Sequence, residues 1–224
     1  MIVRCQECKM TNADLFQKNK YVQVNNVLSQ DLINLATTYA LLDERNDLSL
    51  EEGDTPQIHN SHSKYADTLI EAFLLYLRPI MEENTGLKLH PTYSYYRVYR
   101  SGADLVKHTD RPSCEISATV TLGFDYKGAD YEWPIFVGDA RCAMQPGDLV
   151  IYRGCEIEHW REVFDAPVDS FHVQFFCHYV DAAGPYADFK FDKRPFIGYD
   201  KEGKLNKTVC KHYFPNKKYL TFTG

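Results

Sequence analysis

Two imidazoles and one carboxylate hold a divalent metal on one face and leave the opposite face of its coordination sphere open. The triplet His108-Thr109-Asp110, with His159 well downstream, supplies that donor set. In an extended segment, side chains at i and i+2 point the same way. His108 and Asp110 would therefore project into one interior. His159 follows the apolar run DLVIYR, and an antiparallel sheet could bring it opposite them. The set suits iron(II) and, less specifically, manganese, cobalt or zinc. The triplet alone is equally compatible with an exposed turn, and His159 with a core histidine bonded to backbone.

The elements that must position these residues change character along the chain. Residues 1–20 read as a polar lead-in and YVQVNN as a short strand. Ser29 is placed to cap a helix through Glu44, with Leu32, Leu35, Ala36, Tyr39 and Leu42 on one face. The polar stretch from Asp43 to Ser63 reads as a surface loop. A second helix is expected from near Ser63 to Asn84, with Gly86 as its stop and Pro79 as a kink or a division. After Pro91 the chain turns to β-prone runs: TYSYYRVYR, LVKHTD, EISATVTLGF, WPIFV, RCAMQ, DLVIYR and HVQFFCHYV. Helices followed by many short strands predict an α+β domain, a β-sandwich or barrel buttressed by helices.

Length and composition set bounds. The chain has 224 residues, enough for one substantial domain, and its 44% hydrophobic and 14% aromatic content fits a packed core. A formal charge of −6 argues against a sequence-independent nucleic-acid binder. No apolar run reaches the length needed to span a bilayer, and the polar N-terminus lacks a signal-peptide core. Seven cysteines without disulfide-like spacing fit a reducing compartment. The expectation is a cytoplasmic protein.

The stretches VYRSGADLVKHTDRPSCEISATVTLGF, PGDLVIYRGCEIEHWREVF and HVQFFCHYVD, in that order, resemble the 2-oxoglutarate- and iron(II)-dependent dioxygenases, most closely the prolyl 4-hydroxylase-like group. The resemblance covers roughly residues 90–182. It implies a double-stranded β-helix (jelly-roll) core over about 91–182. Helical support over about 1–90 and a wrapping tail over 183–224 complete one 1–224 domain. It also implies iron(II) held by His108, Asp110 and His159. The co-substrates would be 2-oxoglutarate and O2, with ascorbate as a supporting reductant. The implied reaction is hydroxylation of an organic substrate, coupled to decarboxylation of 2-oxoglutarate to succinate.

A dianionic co-substrate needs a cation for its distal carboxylate, and Arg serves best because it can bind in bidentate fashion. Where the family carries that Arg or Lys, this chain has Val168 and Asp169. Aligning on the last strand instead puts His172 at the anchor position, with Gln174 on the same face. Arg161 competes with it, since it shares a face with His159 if that segment is extended. The resemblance further implies Tyr99 and Thr121 as co-substrate contacts. Arg97, on the face of Tyr95 and Tyr99, is a possible substrate contact. Trp160 reads as packing, and Arg111 either orients the Asp110 carboxylate or is solvated.

The pair Cys5 and Cys8 would need further ligands to bind zinc, and Cys210 with His212 would supply them only if the termini meet. No Gly-rich nucleotide loop and no nucleophile elbow is present. A protein or peptide side chain is the first expectation for the substrate. The alternatives are an amino acid or metabolite, or a cupin-like metal- or ligand-binding module without turnover.

Overall fold

A computed structural model describes residues 10–46 and 61–198. Cys5, Cys8, Cys210 and His212 lie outside these residues, as does most of the expected surface loop. Strands and helices follow in the order α1 (Asn12–Asn19), β1 (Tyr21–Val24), α2 (Gln30–Asn46), β2 (Ser61–Tyr65), α3 (Thr68–Thr85) and β3 (Leu89–Arg100). Then come β4 (Leu105–His108), β5 (Ile116–Asp125), β6 (Ile135–Val137), β7 (Ala140–Cys142), β8 (Leu149–Tyr152), β9 (His159–Arg161) and β10 (Phe171–Asp181).

Three expectations are corrected. The polar lead-in contains α1, started by a capping box between Thr11 and Asp14 that satisfies its first backbone donors. Residues Ser61–Tyr65 form a strand rather than the start of a helix. Their pairing with β3 overrides a weak β propensity, and α3 begins only after Asp67, whose carboxylate caps Leu69 and Ile70. On α2 the buried residues are Ile33, Ala36 and Ala40, while Leu35 and Leu42 are exposed. Small residues win this face because α2 lies close to the sheet. A Cβ on Gly123 of β5 would come within 3.0 Å of Thr37. Pro79 is accommodated in one continuous α3, and Gly86 ends it in the left-handed conformation.

Two antiparallel sheets form the double-stranded β-helix. The major sheet runs β1-β8-β5-β10-β3-β2 and the minor sheet β4-β9-β6-β7. Helices pack on the outer face of the major sheet. Val98, Val120, Ile151, Val173 and Phe175 bury themselves there against Ile33, Phe73, Leu74 and Leu77. Because side chains alternate along a strand, the neighbouring residues face the other way, between the sheets. That inner face is polar: Arg97, Ser117, Thr119, Thr121, His172, Gln174 and His178 are all buried.

After β10 a kinked 3-10 segment, Ala187–Lys193, lies against β3. Arg194 then buries an ion pair with Glu71 of α3, at 2.5 Å. Among the described residues, no helix is long and apolar enough to cross a membrane.

Candidate metal centre

Pairing of β4 with β9 sets His108 directly opposite His159. Their ring centroids are 4.3 Å apart. Asp110 follows β4 in an irregular segment, its backbone N–H bonded to the Gly154 carbonyl at 2.8 Å. The two Nε2 atoms converge on one oxygen, with Asp110 Oδ1 3.6 Å from His108 and 3.5 Å from His159. The three residues each offer a ligand atom, all within 4.8 Å of one another.

The far side of each ring fixes its tautomer. His108 Nδ1 lies 2.6 Å from the Val106 carbonyl and His159 Nδ1 3.2 Å from the Ile157 carbonyl. A carbonyl only accepts, so each Nδ1 carries a hydrogen, and each Nε2 turns to the centre, where it can give its lone pair to a metal that displaces any hydrogen shared with Asp110. Burial alone would raise the Asp110 pKa. Hydrogen bonding to His108 and His159 outweighs it and holds the carboxyl far below its usual range. Burial likewise opposes charge on His108, yet the Asp110 and Val106 contacts leave its pKa raised. Asp110 Oδ2 points away from the pair and accepts from Ser117 Oγ at 3.0 Å.

The triad opens into a cavity of about 260 Å³, also lined by Tyr93, Tyr95, Arg97, Tyr99, Phe176 and His178. A larger cavity of about 680 Å³ adjoins it and shares Tyr93 and Tyr95.

Arg161 shares the face of His159 on β9 and is fully enclosed. One nitrogen, Nη1, donates to the Trp133 carbonyl at 2.5 Å, and the guanidinium lies 4.6 Å over the Trp133 ring. Its Nε and Nη2 have no hydrogen-bond partner among the described residues, and neither has the buried hydroxyl of Tyr99. Burial pushes the Arg161 pKa down, partly offset by Tyr99, Tyr126 and Tyr152. Tyr99 and Tyr152 are themselves walls of the metal-side cavity. Arg161 is not paired with its acidic neighbours in sequence; Glu158 pairs with Lys107 instead.

His172 is not free to compete for an anionic ligand. Its Nε2 donates to Gln174 Oε1 at 2.9 Å, and its bare Nδ1 accepts from Tyr126 Oη at 2.8 Å. Gln174 Oε1 also accepts from Thr121, and Gln174 Nε2 donates to Thr119. His172, Gln174 and Thr121 thus satisfy one another. Burial, with Arg161 nearby, drives the His172 pKa down to about 3, so the ring stays neutral.

Arg97 lines the metal-side cavity, donates to Ser61 Oγ at 2.8 Å and sits over the Tyr95 ring. Arg111 neither orients Asp110 nor floats in solvent. Both its terminal nitrogens bind Asp192, at 2.7 and 2.9 Å, which ties the turn after Asp110 to the segment beyond β10. Trp160 packs, stacked on Phe136 with Lys107 over its ring. Two residues at the centre escaped the sequence reading: Ser117 and His178. The parity that groups His172 with Gln174 on β10 also includes His178, and it groups Ser117 with Thr119 and Thr121 on β5.

No family model and no curated protein matches the sequence. Solved structures do match the fold. A prolyl-4-hydroxylase from Pseudomonas putida aligns over 75% of this chain and 96% of its own, with a TM-score of 0.56 and 16% identity. The epimerase SnoN, solved with Fe3+, alpha ketoglutarate and nogalamycin RO, aligns over 84% and 90%, with a TM-score of 0.62 and 13% identity. A Trichoplax adhaerens prolyl hydroxylase, solved with a hypoxia inducible factor peptide, aligns over 76% and 88%, with a TM-score of 0.56 and 11% identity. The chain has the double-stranded β-helix fold of the 2-oxoglutarate- and iron(II)-dependent oxygenases, the fold shared by the prolyl 4-hydroxylase-like group.

Proposed function

We propose that the protein is an iron(II)- and 2-oxoglutarate-dependent dioxygenase that hydroxylates an organic substrate. The observation that carries this reading is the enclosed Arg161 guanidinium. A buried cation without a counter-charge is costly, and natural interiors rarely keep one unless a ligand supplies the missing partner. Arg161 shares a face with His159, and two of the tyrosines that feel its charge, Tyr99 and Tyr152, line the cavity of the metal triad. A ligand with one anionic end for the metal and a second for a guanidinium fits both ends. 2-Oxoglutarate has that shape and charge.

In this reading His108, Asp110 and His159 hold the metal. Iron(II), when bound, supplies the site where co-substrate and O2 meet. Arg161 and Tyr99 take the distal carboxylate through Nε, Nη2 and the hydroxyl. The network of His172, Gln174 and Thr121 fixes the chamber wall beside them. Trp133, with its ring against Arg161 and its indole N–H donated to the Glu162 carbonyl, keeps the anchor dry and strengthens the charge pairing. Tyr93, Tyr95, Arg97 and Phe176 face the substrate.

The substrate is proposed to be a protein or peptide side chain, entering through the adjoining cavity of about 680 Å³. A small metabolite is the alternative, and the structural neighbours include proteins solved with ligands of both kinds.

The test is succinate release on incubation with iron(II), 2-oxoglutarate and ascorbate, run with His108→Ala and Asp110→Ala. Turnover by the wild type and its loss in both variants is expected. A variant that keeps wild-type decarboxylation removes the triad from the reaction. Metal bound without turnover favours a binding module.

A further inference from the structure

We infer that His178 is a positioning residue for the metal centre, acting through Ser117 on the Asp110 carboxylate. The inference rests on the reading of His108, Asp110 and His159 as metal ligands. Ser117 Oγ lies 3.0 Å from Asp110 Oδ2, 3.0 Å from the Cys114 carbonyl and 2.9 Å from His178 Nδ1. A hydroxyl has a single hydrogen to donate, and both the carbonyl and the ionised carboxylate only accept. Were Nδ1 of His178 bare, three acceptors would compete for that one hydrogen. With Nδ1 protonated, the imidazole donates to Ser117 and occupies a lone pair of the hydroxyl. The Ser117 hydrogen then goes to the charged acceptor, since a hydrogen bond to an ionised group is the stronger one.

The relay therefore runs from His178 through Ser117 to Asp110 Oδ2. Ser117 is the one side chain among the described residues that hydrogen-bonds Oδ2. Holding that oxygen back turns Oδ1 alone towards the two imidazoles. The carboxylate is then set to bind through a single oxygen, which leaves a coordination position open. The far end of the relay is rigid. His178 is buried on β10, an inner strand of the major sheet, with the Tyr93 ring 4.6 Å from its own. Its flanking residues Cys177 and Tyr179 are fixed in the apolar core on the opposite face.

Cobalt(II) titration of the metal-free protein, followed by its visible absorption, tests the relay without turnover. His178→Asn places an amide donor near the position of Nδ1 and should bind cobalt as the wild type does. His178→Gln places its amide near Nε2 instead and should weaken binding about tenfold, as should Ser117→Ala. The double variant Ser117→Ala/His178→Gln should be no weaker than Ser117→Ala alone, because both break one chain of contacts. Wild-type affinity in His178→Gln, equal loss in His178→Asn and His178→Gln, or additive effects in the double variant would overturn the relay. His108→Ala serves as the reference for the site itself. If the wild type binds no cobalt, or His108→Ala binds it equally well, the metal reading fails and the relay fails with it.

Discussion

A Cβ placed on Gly154 would stand 2.3 Å from Asp110 Oδ2 and 2.3 Å from the Cys114 carbonyl. No side chain fits there. The second residue after β8 is bare so that the Asp110 carboxylate can lie against backbone.

Gly154→Ala should therefore displace Asp110 rather than unfold the protein. The expected cost is about 1–3 kcal/mol of stability from overpacking. Metal affinity should fall by roughly tenfold or more, the scale set by disturbing a ligand's support. Thermal unfolding and a cobalt titration on the same sample read the two effects separately. Unchanged affinity would mean that Asp110 tolerates the displacement.

Arg161 should behave in opposite ways with and without ligand. Arg161→Met removes a buried charge that has no counter-ion, so the ligand-free variant should match or exceed wild-type melting temperature. The same variant should lose the stabilisation that 2-oxoglutarate gives the metal-loaded wild type. Its apparent Michaelis constant for 2-oxoglutarate should rise about 10- to 100-fold, the value of a charged hydrogen bond or two. His172→Ala should move that constant far less. The reverse order of effects would return the anchor to His172.

Stability should fall as the solution turns acid, through His172. Burial depresses its pKa to about 3, so between that value and the ordinary histidine range the unfolded chain takes up a proton that the native protein refuses. Stability tied to this group is thus fully present above the unfolded pKa and is lost as pH falls. The loss amounts to about 2 kcal/mol between about pH 7 and about pH 5. Urea unfolding at the two pH values measures it. His172→Gln should remove its share of that slope and leave that of His178, whose burial depresses its pKa to about 4; an unchanged slope would assign the acid sensitivity to other groups.

Asp192 gathers Arg111, Ser113 Oγ at 2.6 Å and Tyr65 Oη at 2.5 Å, and Arg111 and Ser113 belong to the turn that follows Asp110. Burial works against its charge, but these donors prevail and hold its pKa down to about 2. Asp192→Ala should cost about 1–3 kcal/mol, the penalty for leaving such donors unmet. It should also raise hydrogen exchange in residues 110–114. Exchange there at the wild-type rate would show that the turn holds itself.

Parity along strands explains what was legible in the sequence. His159 with Arg161 on β9 and His172 with Gln174 on β10 each share a face by alternation, whereas Asp110 lies past the end of β4 and is brought to His108 by an irregular segment; the β-prone runs after Pro91 all became strands. The helix of the polar lead-in was written in Thr11 and Asp14, whose spacing is a capping signature, but it carried too few apolar residues to draw notice. Strand β2 was not legible, since SHSKY becomes a strand only by pairing with β3. Nor was the choice of face on α2. Leucines advertise a hydrophobic stripe, yet a helix seated close to a sheet presents Ala36 and Ala40. The enclosure of Arg161 was hidden for a similar reason: its neighbours in sequence are acidic, while its neighbours in space are Trp133 and tyrosines.

Strand β10 gives Val173, Phe175, Cys177 and Tyr179 to the helix-covered core, and His172, Gln174, Phe176 and His178 to the inner face between the sheets. The two tasks are interleaved at single-residue pitch. Its register shifts by one residue against β5 between Val173 and Gln174, and against β3 between His178 and Tyr179. Such irregularities act as index marks, because a slipped pairing would have to rebuild them elsewhere. A slip of one position would send four polar or aromatic side chains into the oil and four core residues into the space between the sheets. A misregistered chain would then lose its apolar core and its inner polar face together, so correct assembly of this strand is its own quality control.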